Sequence, residues 1–156
     1  MKSFLSAAAA IVMAAFLSSC CGQPDINGAW TVTSVAGEQI ALPDSLAEAT
    51  PYIEFNAENG RVHGYTGCNI MNGTYTLDGS DLSLGQMATT MMAGPQELME
   101  LESKVLDAVN GAASVQQTDE DSLQILDGEG NVTMVLVRKA ATEPETSVDG
   151  QAEVAE

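Results

Sequence analysis

A mainly-β domain, an antiparallel sheet or open barrel closed by a single α-helix, is the fold class this sequence predicts. Three observations carry the prediction. Short runs rich in β-branched and aromatic residues recur across residues 28–139. Turn residues punctuate them, at Asn59-Gly60, at Asp78-Gly79-Ser80 and from Asp127 to Asn131. One stretch alone, Pro95 to Asn110, repeats its apolar residues at helical rather than alternating spacing.

The elements follow in order. Ala29 to Val35 alternates so that Trp30 and Val32 share a face. Tyr52 to Phe55 and Arg61 to Tyr65 are strands joined through Asn59-Gly60. Thr74 to Leu77 and Asp81 to Leu84 flank the next turn, and Met87 to Met91 reads as a further strand. In the helix, Pro95 suits the first turn. Glu97, Glu100 and Glu102 lie early, where the helix dipole favours negative charge. Leu98, Leu101, Val105 and Val109 form one apolar face, and Asn110-Gly111 supplies the stop. Ser114 to Thr118, Ser122 to Leu126 and Val132 to Val137 complete the sheet. The last is apolar on both faces, which places it centrally or beneath the helix.

The first nineteen residues read as an address. Met1-Lys2-Ser3 is a short positive start, and Phe4 to Phe16 is apolar or small throughout apart from Ser6. A helix of that length spans roughly 20 Å, too short for a hydrocarbon core of about 30 Å. It is therefore expected to be an export signal that is removed. Leu17-Ser18-Ser19-Cys20 follows and resembles a bacterial lipobox, with Cys20 as the residue that takes the lipid. Two or three acyl chains anchor a protein stably where one does not. No acidic residue follows Cys20 directly, so the expected location is the cell envelope, anchored to the outer membrane and facing the periplasm. Residues 20–27 form a lipidated tether. Residues 140–156 hold five acids, no base and almost no large apolar side chain, and are expected to be disordered.

Charge narrows the partners. The 22 acids and 5 bases give a net charge of -17. Such a surface repels phosphate backbones and anionic head groups, so nucleic acid is excluded and membrane attachment falls to the lipid anchor.

One run of residues carries a family resemblance. Gly64-Tyr65-Thr66-Gly67-Cys68-Asn69, followed by Gly73-Thr74-Tyr75, resembles the G-x-x-G-C-N-x-x-x-G-x-Y core of the META domain family, which includes HslJ. Trp30, Ile53 and Phe55 and the closing hairpin from Leu123 to Val137 fall in matching order. Thr90 to Pro95 resembles the family's T-x-M-A-C-P segment, except that Gly94 stands where a cysteine is frequent. The resemblance implies a β-rich envelope or secreted module linked to stress, without established catalysis. Cys68 lacks the partner that the family pattern implies. It reads as a buried free thiol, with Cys21 as the alternative partner.

Among the candidate sites, Gly64, Gly67, Cys68, Asn69, Gly73 and Tyr75 read as a folding-critical corner ahead of a binding loop. The motif has no acid or base for proton transfer. His63, the single histidine, reads as a surface or half-buried strand residue. Met71, Met87, Met91, Met92 and Met99 surround it and Cys68 in sequence; their spacing suits core packing ahead of Cu(I) ligation. Asp127 to Asn131 lacks the EF-hand glycine and closing glutamate and reads as a turn. No cofactor, metal or catalytic residue is expected. The functional expectation is a non-catalytic, lipid-anchored envelope module acting through contact with an unidentified envelope protein. The alternative is a carrier of a small apolar ligand in a barrel cavity, and copper handling ranks below it.

Overall fold

A computed structural model describes residues 22–139. The segment expected to be an export signal, the expected lipidation residue Cys20 and the acidic tail 140–156 lie outside the described residues. The strands are β1 (Gly28–Val35), β2 (Glu38–Gln39), β3 (Tyr52–Asn56), β4 (Arg61–Tyr65), β5 (Ile70–Asp78), β6 (Asp81–Leu84) and β7 (Ala88–Thr89). After the helix α1 (Gln96–Asn110) come β8 (Ser114–Asp119), β9 (Ser122–Leu126) and β10 (Val132–Arg138).

Every pairing is antiparallel. The order β1-β3-β4-β5-β6-β8-β9-β10 returns to β1, so eight strands form a closed ring. The antiparallel, mainly-β expectation holds. Closure comes from the β1–β10 ladder, Trp30 opposite Arg138 through Val35 opposite Met134, while the helix covers one mouth. A one-residue register slip between Val32 and Ser34 bends β1 at this seam. β10 is paired on both edges, which agrees with the central position its apolar sequence predicts. Val132 and Val137 nevertheless face solvent.

An eight-stranded barrel is just wide enough for its own side chains. Here Trp30, Ile53, Phe55, Met71, Leu123 and Leu136 fill it, none more than 1% exposed. The helix adds Leu98, Val105, Ala108 and Val109 to the buried set, and Leu101 is half-buried beside them.

The two mouths differ. α1 crosses the mouth at which β1 and β4 end and β3 and β5 begin. There Lys104 pairs with Glu38, and Glu102 meets the loop after β4. At the other mouth the segment before β1 folds inward. Trp30 Nε1 donates to Ile26 O at 2.7 Å, and Ile26 is buried. Asp25 N donates to Gln117 Oε1 and Ala57 N to Asn27 Oδ1. The sequence read as tether is thus pinned to the barrel from Asp25 onward. Arg138 lies 4.2 Å over the Trp30 ring, and Lys139 N donates to Ala29 O. Both ends of the described chain therefore leave from the same mouth.

Two local expectations change. The strand expected over Met87–Met91 shrinks to Ala88–Thr89, which pairs with Asn72 and Met71 of β5 beyond the β6 ladder. The segment from Glu38 to Ala49, without a periodic signal, contains β2 and a 3-10 turn over Asp44–Ala49.

Leu123 is fully buried inside the ring. Leu123→Ala is expected to lower unfolding free energy by about 2–5 kcal/mol through lost transfer energy and a residual cavity. Urea unfolding followed by Trp30 fluorescence measures it.

Candidate functional site

The G-x-x-G-C-N run turns the chain from β4 into β5 beneath α1. Gly67 adopts φ +114°, a conformation that a side chain disfavours. A Cβ there would also press on Leu98 O of the helix at 3.4 Å. Gly64 and Gly73 answer a different need. A Cβ at 64 would lie 2.5 Å from Tyr52 O, and one at 73 would collide with Met87 Sδ. These glycines let neighbouring strands and the β7 segment approach.

Asn69, 5% exposed, uses its whole amide. Its Oδ1 accepts from Thr90 Oγ1 at 2.8 Å and from Met92 N at 2.7 Å. Its Nδ2 donates to Met92 O at 3.2 Å and lies 2.9 Å from both carboxylate oxygens of Glu102. Thr66 Oγ1 is 3.1 Å from the same carboxylate and 2.9 Å from Asn69 O. One side chain thus ties three segments together: the turn after β4, the irregular stretch 90–92 and the middle of α1. A satisfied, partly buried network of this kind fixes one arrangement, and losing a partner is costly.

Cys68 is a buried free thiol. Burial pushes its pKa up, and the Glu102 carboxylate pushes the same way. Tyr65 is raised first by burial, then by Cys68 and Glu102. A thiol held neutral is a poor nucleophile. Gly94 stands directly against it: an ideal Cβ at 94 would lie 2.6 Å from Cys68 Sγ and 3.7 Å from Cys68 Cβ. The second value falls in the usual Cβ–Cβ range of a disulfide, about 3.5–4.5 Å. The position implied by the family pattern is therefore geometrically where a partner thiol would stand.

Of the six motif residues, Gly64, Gly67, Cys68 and Asn69 gather at this mouth, and Gly73 follows along β5. Tyr75 does not join them. It lies six residues beyond Asn69, roughly 20 Å along the strand. It packs edge-on against Phe55 with ring centroids 5.1 Å apart, and burial followed by Asp25 raises its pKa. Thr66, Thr90 and Glu102 are the members that the sequence reading missed. Thr90 sits in the T-x-M-A-C-P-like segment, which was a usable signal. Glu102 carries no local signal beyond its helix position.

His63 is half-buried, as expected. It contacts Asn72 Oδ1 through Nδ1 at 2.9 Å and Tyr52 Oη through Nε2 at 3.3 Å. Asp127 forms a surface turn, accepting from Glu129 N and Asn131 N at 2.9 Å each. Its carboxyl is held below the ordinary range chiefly by the Asn131 side chain. The methionines correct an expectation. Met71 belongs to the core and Met87 packs against it, but Met91 is 97% exposed, Met92 56% and Met99 47%. Core packing fails for these three because stretch 90–95 runs outside the ring and Met99 lies off the buried stripe of α1. Among the described residues no three His, Cys, Asp or Glu side chains cluster as metal ligands.

A filled antiparallel eight-stranded barrel, with one helix over a mouth and an asparagine-centred lock beneath it, defines the class by architecture rather than chemistry. The chain belongs to the META domain family, whose domain matches residues 24–141. A protein from Burkholderia xenovorans, solved by NMR, is similar with TM-score 0.58 and 22% identity, over 74% of this chain and 84% of that one. A duf4847 family protein from Bacteroides vulgatus, solved by crystallography, is similar with TM-score 0.56 and 16% identity, over 73% and 94%. These likenesses concern the fold. No curated protein matches the chain.

Two outcomes test the lock. Asn69→Ala strips partners from Glu102 and the Met92 backbone and is expected to destabilise by about 3 kcal/mol, whereas Glu102→Gln, which keeps one acceptor, costs about 1 kcal/mol. Urea titration of both variants checks the order. Gly94→Cys is expected to form a disulfide with Cys68 under oxidising conditions, adding about 3 kcal/mol that dithiothreitol removes.

Proposed function

We propose that this protein is a non-catalytic module tethered by lipid at Cys20 to the bacterial cell envelope. In this reading it faces the periplasm from the outer membrane, works by contact with another envelope protein, and serves envelope maintenance or stress. The observation that carries the reading is the apolar run Phe4–Phe16 ending at Leu17-Ser18-Ser19-Cys20, immediately before a domain already pinned at Ile26. Ile26 lies six positions beyond Cys20, a stretch that spans at most about 20 Å. An acylated Cys20 would hold the barrel close against the bilayer, with the mouth that receives Ile26 turned toward it.

The chemistry of the described domain supports contact over catalysis. Its polar cluster sets the buried Asn69 amide and Thr66 hydroxyl against the half-buried Glu102 carboxylate and the exposed Thr90 hydroxyl, satisfied by one another and by the backbone. Its thiol is buried and held neutral. The stress role rests on family resemblance. Carriage of a small apolar ligand is the second reading, and the side chains packed through the ring weigh against it. Copper handling is weakened in the same way, because Met71 is in the core while Met91, Met92 and Met99 stand in solvent.

Intact-mass analysis of the protein purified from its native host is expected to show an N-terminus at Cys20 bearing acyl chains. Cys20→Ala is expected to move the protein from the membrane to another fraction. A mature N-terminus upstream of residue 20, or an unacylated Cys20, overturns the anchoring.

A further inference from the structure

Six large apolar side chains are exposed among the described residues: Ile70, Met91, Met92, Met99, Val132 and Val137. The two valines belong to β10. The other four surround the Asn69–Glu102 lock. Ile70 follows Asn69, its N donating to Thr90 Oγ1 at 3.1 Å and its O accepting from Thr90 N at 3.0 Å. Met92 is held at both N and O by the Asn69 amide. Met99 lies three residues before Glu102 on α1, a separation that places two side chains side by side on a helix.

Displaying apolar surface costs free energy unless something covers it. The chain nevertheless commits a buried amide to fixing the backbone of the most exposed segment, so Met91 and Met92 cannot easily turn inward. Thioether side chains are flexible and polarizable, and they suit surfaces that adapt to a partner.

The geometry points to Ile70, Met91, Met92 and Met99 as a docking surface for a partner protein whose contacting segment is both apolar and cationic. This deepens, and rests on, the reading of the domain as a contact module. Charge selects the occupant. Glu102 lies one turn along the helix from Met99, and the whole chain carries -17. Lys or Arg around an apolar anchor would complement that charge. A second copy would set acid against acid. The tail 140–156 is itself acidic, and the chain leads into it from the opposite mouth. A bilayer of anionic lipid is repelled, and the chain approaches Cys20 from that same opposite mouth.

Methionine-methyl NMR of the full chain from Cys20 onward, produced without acylation, tests the assignment. Three probes are titrated: an amphipathic peptide of alternating Leu and Lys, its Leu/Glu counterpart, and phosphatidylglycerol vesicles. The Leu/Lys peptide is expected to shift the Met91, Met92 and Met99 methyls and leave buried Met71 and Met134 unmoved. Met91→Glu makes the protein more acidic, yet is expected to weaken that binding about tenfold, because an apolar contact is lost. Shifts spread over all methyls, equal response to the Leu/Glu peptide, a preference for vesicles, or shifts that follow protein concentration alone would each overturn the docking surface. So would a Met91→Glu variant that binds as tightly as the parent. None of these results bears on acylation at Cys20, so the two readings fail separately.

Discussion

The Asn69 side chain is the constraint on which the upper mouth of the barrel depends. A carboxamide offers two donors and an acceptor with two lone pairs. Here both halves are engaged by groups distant in the chain: Met92 is 23 residues away and Glu102 is 33. The neighbouring turn carries Gly67 at positive φ, and the Thr66 hydroxyl donates to Glu102 Oε1, which Asn69 Nδ2 also contacts. Without that amide, the 90–92 stretch would retain only its hydrogen bonds to Ile70 and the two-residue ladder of β7. Helix, loop and outer segment are thus fixed by one polar group rather than by apolar burial alone.

Burial does the rest of the work, and it leaves the inside of the barrel full. Eight strands give an interior that side chains can occupy completely, and Trp30, Phe55 and Met71 are among the largest side chains buried there. The ends are stoppered differently. An amphipathic helix seals one mouth with Leu98, Val105 and Val109. Ile26 and the Arg138 guanidinium, stacked over Trp30, seal the other. A fold closed in this way leaves its outer surface and loops free to vary without disturbing its core.

Gly94 leaves the Cys68 thiol without a covalent partner among the described residues. It faces Cys68 at the separation of a bonded pair, yet the thiol stands alone. The asparagine lock spans the same two segments, joining residue 69 to residue 92. A covalent link there would repeat a connection that hydrogen bonds already make.

Strands, turns and the helix were legible in the sequence, because alternation, turn residues and 3.6-residue spacing are local properties of the chain. So were the buried pair Trp30 and Val32 and the core stripe of α1. What only the tertiary structure decided was long-range. The β1–β10 seam joins opposite ends of the domain, and no local pattern distinguishes an open sheet edge from one that finds its mate. Glu102 looked like one more acid at a helix start until folding set it against Asn69. Met91, Met92 and Met99 had the composition of a core. Their exposure follows from running outside a ring whose interior was already filled, and residue type alone cannot report which side of a barrel wall a segment occupies.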